Sequence, residues 1–208
     1  MSEHPIASPA VTRFLLIRHG ESTWNVEGRW QGQVDAPLTE LGQRQAHAAG
    51  GAVGAVDVVV ASDLQRALLT AALIAEPNGI GPIQRDVRLR ERAAGPWEGL
   101  TRDQIEAQYP GWLAERRRPE GFEPDDALCA RVLECLTDLA RAYEEAMVLA
   151  VSHGGVIRAI ERAIGEDRGP VPNLGGVEIV HDGNAPTLGE RVLLLDPDDI
   201  EVTIPGQI

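Results

Sequence analysis

The chain has 208 residues, 43% of them apolar and 25% charged, and its 32 acidic against 19 basic side chains give a formal charge of −13. All 19 cations are arginine, which rules out a P-loop lysine, a Schiff-base lysine and a protein-kinase lysine. The acidic total argues against nucleic-acid or anionic-membrane partners, which need a positive field, and no apolar run approaches the ~20 residues that span a bilayer.

In chain order, Met1–Ala10 is polar, with two prolines and no apolar centre, and reads as a disordered leader rather than a signal peptide. Residues 11–208 read as one domain. Val11–Ile17 is a β-branched-rich apolar run of the kind that forms a buried strand. Thr39 is placed to cap a helix over Leu41–Ala52. Val56–Ala61 is a second strand, after which Asp63 or Ser62 can cap a helix over Leu64–Ala75, stopped by Pro77-Asn78-Gly79. Asp125 can cap a long helix on which Leu128, Val132, Leu136, Leu139 and Tyr143 recur at helical spacing. Cys129 and Cys135, the only two cysteines, fall on different parts of that helix and read as core or boundary filler, which suits a reduced, cytoplasmic protein. Met147–Val151 is a third strand; Val177–Val180 and Arg191–Leu195 are weaker ones. Alternating strands and helices predict a three-layer α/β/α domain with a mostly parallel sheet and right-handed crossovers.

Ligands of open α/β sheets bind beyond the carboxyl ends of the strands. The first strand runs into Arg18-His19-Gly20-Glu21. The second runs into Ser62-Asp63, with Arg66 one turn later, and the third into Ser152-His153-Gly154-Gly155. If these strands are neighbours, two arginines and two histidines meet at one edge. Guanidinium forks suit phosphate oxygens, and a helix opening at Gly154 adds dipole and backbone N–H groups. Gly20, Gly154 and Gly155 permit close backbone approach. A phosphoryl group is the natural guest, and the histidines point to transfer rather than binding alone.

These residues resemble a known family. Leu16–Asn25 (LIRHGESTWN), Arg29–Gly32, Leu38–Gly42, Ser62–Ala67 with Thr70-Ala71, Leu89–Glu91 followed by Gly95–Leu100, and Val151–Gly155 resemble, in order, the blocks of the histidine phosphatase (phosphoglycerate mutase-like) superfamily. The resemblance implies a phosphoglycerate mutase-like fold. It implies that His19 is the nucleophile, that Arg18, Arg66 and His153 hold the phosphoryl oxygens with help from Asn25, Gln31, Gly32 and Gly154, and that Glu91 is the proton donor. Neither metal nor cofactor is then required, because the arginines take the part that magnesium plays in many phosphoryl-transfer sites. The partner is a small phosphate monoester; a homodimer is left open.

The family holds phosphatases and mutases. Mutases of this type carry a longer insertion with a lysine and paired arginines after the acid-bearing segment, and tend to have threonine where Gln31 precedes Gly32. The short segment here favours a phosphomonoesterase over a mutase, and the intact set of core residues disfavours a phospho-ligand-binding module. A Gly-Glu-Ser element found in many phosphatase members is replaced by Gly121-Phe122-Glu123-Pro124. Competing structural readings are an exposed ion pair for Glu91 among Arg88, Arg90 and Arg92, packing for Trp24 and Trp97, and a solvated charge run for Arg116–Arg118. Attack by neutral His19 with protonation by Glu91 predicts a bell-shaped rate profile with an acidic to neutral optimum.

Overall fold

Strand β1 (Thr12–Arg18) sends Phe14 and Leu16 to one helical layer and Leu15 and Ile17 to the other, so its run is apolar on both faces. The computed structural model describes residues 11–206; the reading of Met1–Ala10 as a leader lies outside the described residues. After β1 come α1 (Thr23–Val26), α2 (Glu40–Ala52), β2 (Val58–Ala61), α3 (Gln65–Ala75), β3 (Gln84–Arg85), α4 (Arg102–Gln108), α5 (Asp125–Ala142), β4 (Met147–Ser152), α6 (Gly154–Ile164), β5 (Gly175–His181) and β6 (Pro186–Leu193).

The six strands lie in the order β3-β2-β4-β1-β5-β6. β3 on β2, β2 on β4 and β4 on β1 pair in parallel, whereas β5 runs antiparallel to β1 and β6 to β5. The parallel core puts the carboxyl ends of β1, β2 and β4 side by side, with Arg18 opposite Ser152 and Ala61 opposite Val151. That adjacency is what brings the three polar strand ends together. One face of the sheet packs on Leu128, Val132, Leu136 and Leu139 of α5 and Val156, Ile157 and Ile160 of α6. The other packs on Ala49 of α2 and Ala67, Ala71 and Ile74 of α3. Each fully buried Leu, Ile or Phe contributes about 1.5–3 kcal/mol, so both faces must be covered for the strands to persist.

The two weaker strand expectations shift: the fifth strand extends to Gly175–His181 and the sixth lies earlier, at Pro186–Leu193. Cys135 is buried in the core and Cys129 half-buried against it, both free. Thr39 caps α2 as expected, accepting from Gly42 N–H at 2.9 Å. The other two expected caps fail for one reason. α3 starts after Leu64 with no side-chain cap, because Ser62 faces His153 and Asp63 is drawn to Arg90. α5 is entered from Pro124; Asp125 sits in its first turn and its carboxylate goes to Arg92 and Arg162.

Candidate active site

At the joined strand ends, Arg18, His19, Arg66 and His153 are all buried, none more than 4% exposed. The rings of His19 and His153 lie 5.2 Å apart, edge to face. Nδ1 of His19 lies 2.7 Å from the carbonyl oxygen of Gly20. A carbonyl only accepts, so the ring proton is on Nδ1 and the lone pair is on Nε2. Nε2 of His153 lies 2.9 Å from Ser62 Oγ, which itself accepts from Leu64 N–H.

The two arginines are aimed by carbonyl groups. Arg18 Nη1 donates to Val171 O at 2.8 Å. Arg66 donates to Val34 O and Gly32 O, both at 2.8 Å, with Asp35 only loosely paired at 3.6 Å. A carbonyl orients a guanidinium without cancelling its charge, so both stay available to an anion. Among the described residues, Nε of Arg18 and Nε of Arg66 are buried donors with no acceptor, and Nδ1 of His153 is a buried ring nitrogen with no partner. Unpaired buried donors each cost about 1–3 kcal/mol, and an oxyanion in the cavity beside Arg18 and Arg66 would supply what the protein does not.

Burial is the main cause of the electrostatics, the neighbouring charges adding to it. Desolvation brings Arg18 and Arg66 down to about 10. Desolvation, then Arg66 and Arg18, hold His19 well below the ordinary imidazole value; the same burial and Arg66 do so for His153. Both imidazoles are therefore neutral through the neutral and mildly acidic range. The unfolded chain binds protons near pH 6.5 that the folded one refuses, so stability rises with pH through this window and is lost on acidification below about 6.5, by up to about 1.4 kcal/mol per pH unit for each histidine. The urea midpoint of the unliganded protein is expected to fall between pH 7 and pH 5, and less steeply in His19→Ala; equal slopes would take His19 out of the account.

Glu91 is not in an exposed ion pair. Arg88 pairs with Asp86 and Asp138, Arg90 with Asp63 and Arg92 with Asp125. The Glu91 carboxylate instead accepts from the backbone N–H groups of Arg92 (2.8 Å) and Gly155 (3.0 Å). A Cβ on Gly155 would displace that carboxylate from its place, and a Cβ on Gly154 would press on Arg18. The expected free N–H at the α6 start is thus partly taken by Glu91. Among the residues lining the central cavity are Arg18, His19, Gln31, Gly32, Arg66, Glu91 and Gly155, together with Trp30 and Arg92. It encloses about 60 Å3, several times the ~10–15 Å3 one water needs.

Three expected contact residues do not line that cavity. His153 has its ring against that of His19 and its Nε2 on Ser62, Gly154 lies against the Arg18 guanidinium, and Asn25 is buried with its Oδ1 accepting from Ser22 N–H and Asn173 Nδ2. Sequence reasoning missed Trp30, Arg92, Asn173 and Arg131. Arg131 on α5 donates to the carbonyls of Arg88, Arg90 and Glu91 and pairs with Glu123, so it fixes the segment that carries Glu91. Arg92, next to Glu91, and Trp30, next to Gln31 in the Arg29–Gly32 block, had a local signal; Asn173 and Arg131 had none. Trp97 is wholly buried, as packing predicts, in a cluster with Trp30, Tyr109 and Phe122. Arg116–Arg118 are exposed, but the Arg118 guanidinium lies over the rings of Trp97 and Phe122.

Residues 14–175 match the model of the histidine phosphatase superfamily, branch 1. The chain belongs to that superfamily. A glucosyl-3-phosphoglycerate phosphatase of Mycobacterium tuberculosis is 36% identical over 167 residues, 73% of this chain and 74% of the relative. A 2,3-bisphosphoglycerate-dependent phosphoglycerate mutase of Methylobacterium radiotolerans is 36% identical over 205 residues, 88% of this chain and 95% of the relative. A solved structure of the mycobacterial glucosyl-3-phosphoglycerate phosphatase complexed with VO3 superposes with a TM-score of 0.74 at 34% identity, covering 85% of this chain and 96% of that one. The cluster of Arg18, His19, Arg66 and His153 thus sits at the strand ends that the sheet topology brings together. Among the described residues no helix is long and apolar enough to cross a membrane.

Proposed function

We propose that this histidine phosphatase-superfamily member is a metal-independent phosphomonoesterase that works through a phosphohistidine on His19. The observation that carries the reading is the pair of buried, acceptorless Nε–H donors on Arg18 and Arg66, both lining the cavity with a neutral His19 imidazole whose Nε2 lone pair is free. His19 Nε2 attacks phosphorus in line and the P–O bond to the leaving group breaks; Glu91 gives that oxygen its proton. Water, deprotonated by the Glu91 carboxylate, then attacks the phosphohistidine, releasing phosphate and restoring the imidazole. Splitting the displacement in two avoids one harder step. Charge on the equatorial oxygens meets donors fixed beforehand, which need no reorganisation. Two free cysteines and the absence of a membrane-spanning helix among the described residues favour a cytoplasmic setting.

The substrate is a small monoester whose leaving group carries an acid. A second cavity of about 370 Å3 shares Trp30, Arg92 and Gly155 with the first, and brings Arg116, Arg118, Arg158 and Arg162 against only Asp125 and Asp167. The names of the relatives above, a glucosyl-3-phosphoglycerate phosphatase and a phosphoglycerate mutase, also concern esters of an acid. With metals chelated, the protein is expected to release phosphate from an aryl phosphate and to prefer acid-bearing over neutral alkyl monoesters in kcat/KM. Arg162→Ala should raise KM for the acid-bearing esters by about tenfold, the weight of one charge-assisted contact, and leave the aryl ester unchanged. Loss on both, or on neither, would detach the second cavity from the substrate. The mutase-named relative, which covers more of the chain than the phosphatase, keeps a second reading: isomerisation of a phosphoglycerate without net phosphate release in the same assay would replace hydrolysis by transfer.

A further inference from the structure

Glu161 on α6 is wholly buried yet has no part in the chemistry above. Its carboxylate accepts from Nε and Nη2 of Arg191 on β6, the latter at 2.7 Å. A buried ion pair contributes little net stability, since desolvation offsets the attraction, so holding β6 to α6 is a weak reason for it. The same guanidinium also donates to the carbonyls of Gly169 (3.0 Å) and Pro170 (3.1 Å). The next carbonyl along, that of Val171, is the one hydrogen-bond acceptor Arg18 has among the described residues. Two residues further, Asn173 donates to the His19 carbonyl at 2.8 Å, and Leu174 N–H to that of Arg18 at 3.2 Å.

We propose that Glu161 and Arg191 are positioning residues for Arg18: the pair fixes the backbone at 169–171 so that the Val171 carbonyl holds the guanidinium toward the phosphoryl cavity. The inference rests on the reading that Arg18 holds the phosphoryl group. Arg66 shows the same construction. The carbonyl of Gly32 aims it, and the adjoining loop is held by Glu98, which accepts from Gln33 and Ala94 N–H at 3.0 Å. In both cases a carboxylate acts at one remove, through a loop, and the arginine keeps its charge for the ligand.

The test is the dissociation constant for inorganic phosphate, by calorimetry and as a competitive inhibitor of aryl phosphate hydrolysis. Arg191→Met is expected to weaken phosphate roughly 10- to 100-fold, the scale on which losing the outer partner of a metal ligand acts. It leaves Glu161 without its partner, so a second variant, Glu161→Leu with Arg191→Met, removes the pair together, a change that is often neutral for stability. That variant should melt close to the native temperature and bind phosphate as poorly as Arg191→Met. Arg191→Lys, which keeps a charge for Glu161 but lacks the fork, should show a smaller loss in the same direction. In an Arg18→Ala background the Arg191→Met change should be silent in residual kcat/KM, because there is no guanidinium left to aim. Native phosphate affinity in Arg191→Lys and the double variant, or an undiminished effect of Arg191→Met without Arg18, would overturn the proposal. Wild-type turnover of the aryl ester tests the enzymatic reading separately, so each can fail while the other stands.

Discussion

His19→Ala is expected to lose turnover by roughly 10⁶-fold, the scale on which removal of a covalent nucleophile acts, and to form no acid-labile phosphoenzyme. No second side chain can replace it. His153, the other imidazole of the cluster, has Nε2 engaged by Ser62 and does not line the cavity. Cys129 and Cys135 lie on α5 in or against the core, and burial raises both thiols. The variant keeps Arg18 and Arg66, aimed as before by Val171, Gly32 and Val34, so inorganic phosphate should still bind. Rapid quenching after mixing with radiolabelled aryl phosphate, followed by denaturing electrophoresis, reads both points. A labelled protein band in the variant, or turnover near native, would remove His19 from the role of nucleophile. Retained phosphate binding without turnover separates lost chemistry from a lost fold.

The heart of this site was legible because its signals are local. Arg18-His19 and Ser152-His153 follow apolar runs directly, and runs that are buried on both faces belong to adjacent parallel strands. What the sequence did not disclose is carried by contacts between distant segments. Ser62, Asp63 and Asp125 are ordinary capping residues on local grounds, yet Asp63 and Asp125 are drawn instead to Arg90 and to Arg92 and Arg162, and Ser62, while accepting from Leu64 N–H, is shared with His153. Local propensity lost to the demand for a partner by buried or crowded polar groups. Arg131 and Arg191 gave no signal at all, since a guanidinium that clasps carbonyls 21 to 43 residues away has no pattern in its own neighbourhood. The two-residue strand β3 is likewise defined by its partner, Val60 and Ala61 of β2, and not by its own composition. Glu123 shows the converse. Although the chain departs there from the common phosphatase pattern, its carboxylate still reaches Arg131 and its carbonyl Arg92, so the acid-bearing segment is anchored.

Glu91→Gln is expected to lower kcat by 10²–10⁴-fold, the range for a positioned proton donor, with a loss that grows as the leaving group worsens. The amide is nearly isosteric and its oxygen can still accept from Arg92 or Gly155 N–H, so the segment held by Arg131 should stay in place. It has no acidic proton to give. An aryl oxygen leaves without help, whereas an alkoxide does not, and the plot of log kcat/KM against leaving-group pKa should therefore steepen in the variant. The second half-reaction suffers as well, because the amide cannot take the proton from water attacking the phosphohistidine. With a good leaving group the variant should show a burst of aryl alcohol stoichiometric with enzyme, followed by slow turnover, and the labelled phosphoenzyme should accumulate. A uniform loss across leaving groups with no burst would mean that the carboxylate acts through charge alone, for example by orienting Arg18 and Arg66, both of which its charge favours in the cationic form. The slope of that plot, which a general loss of structure would leave unchanged, decides between proton transfer and field.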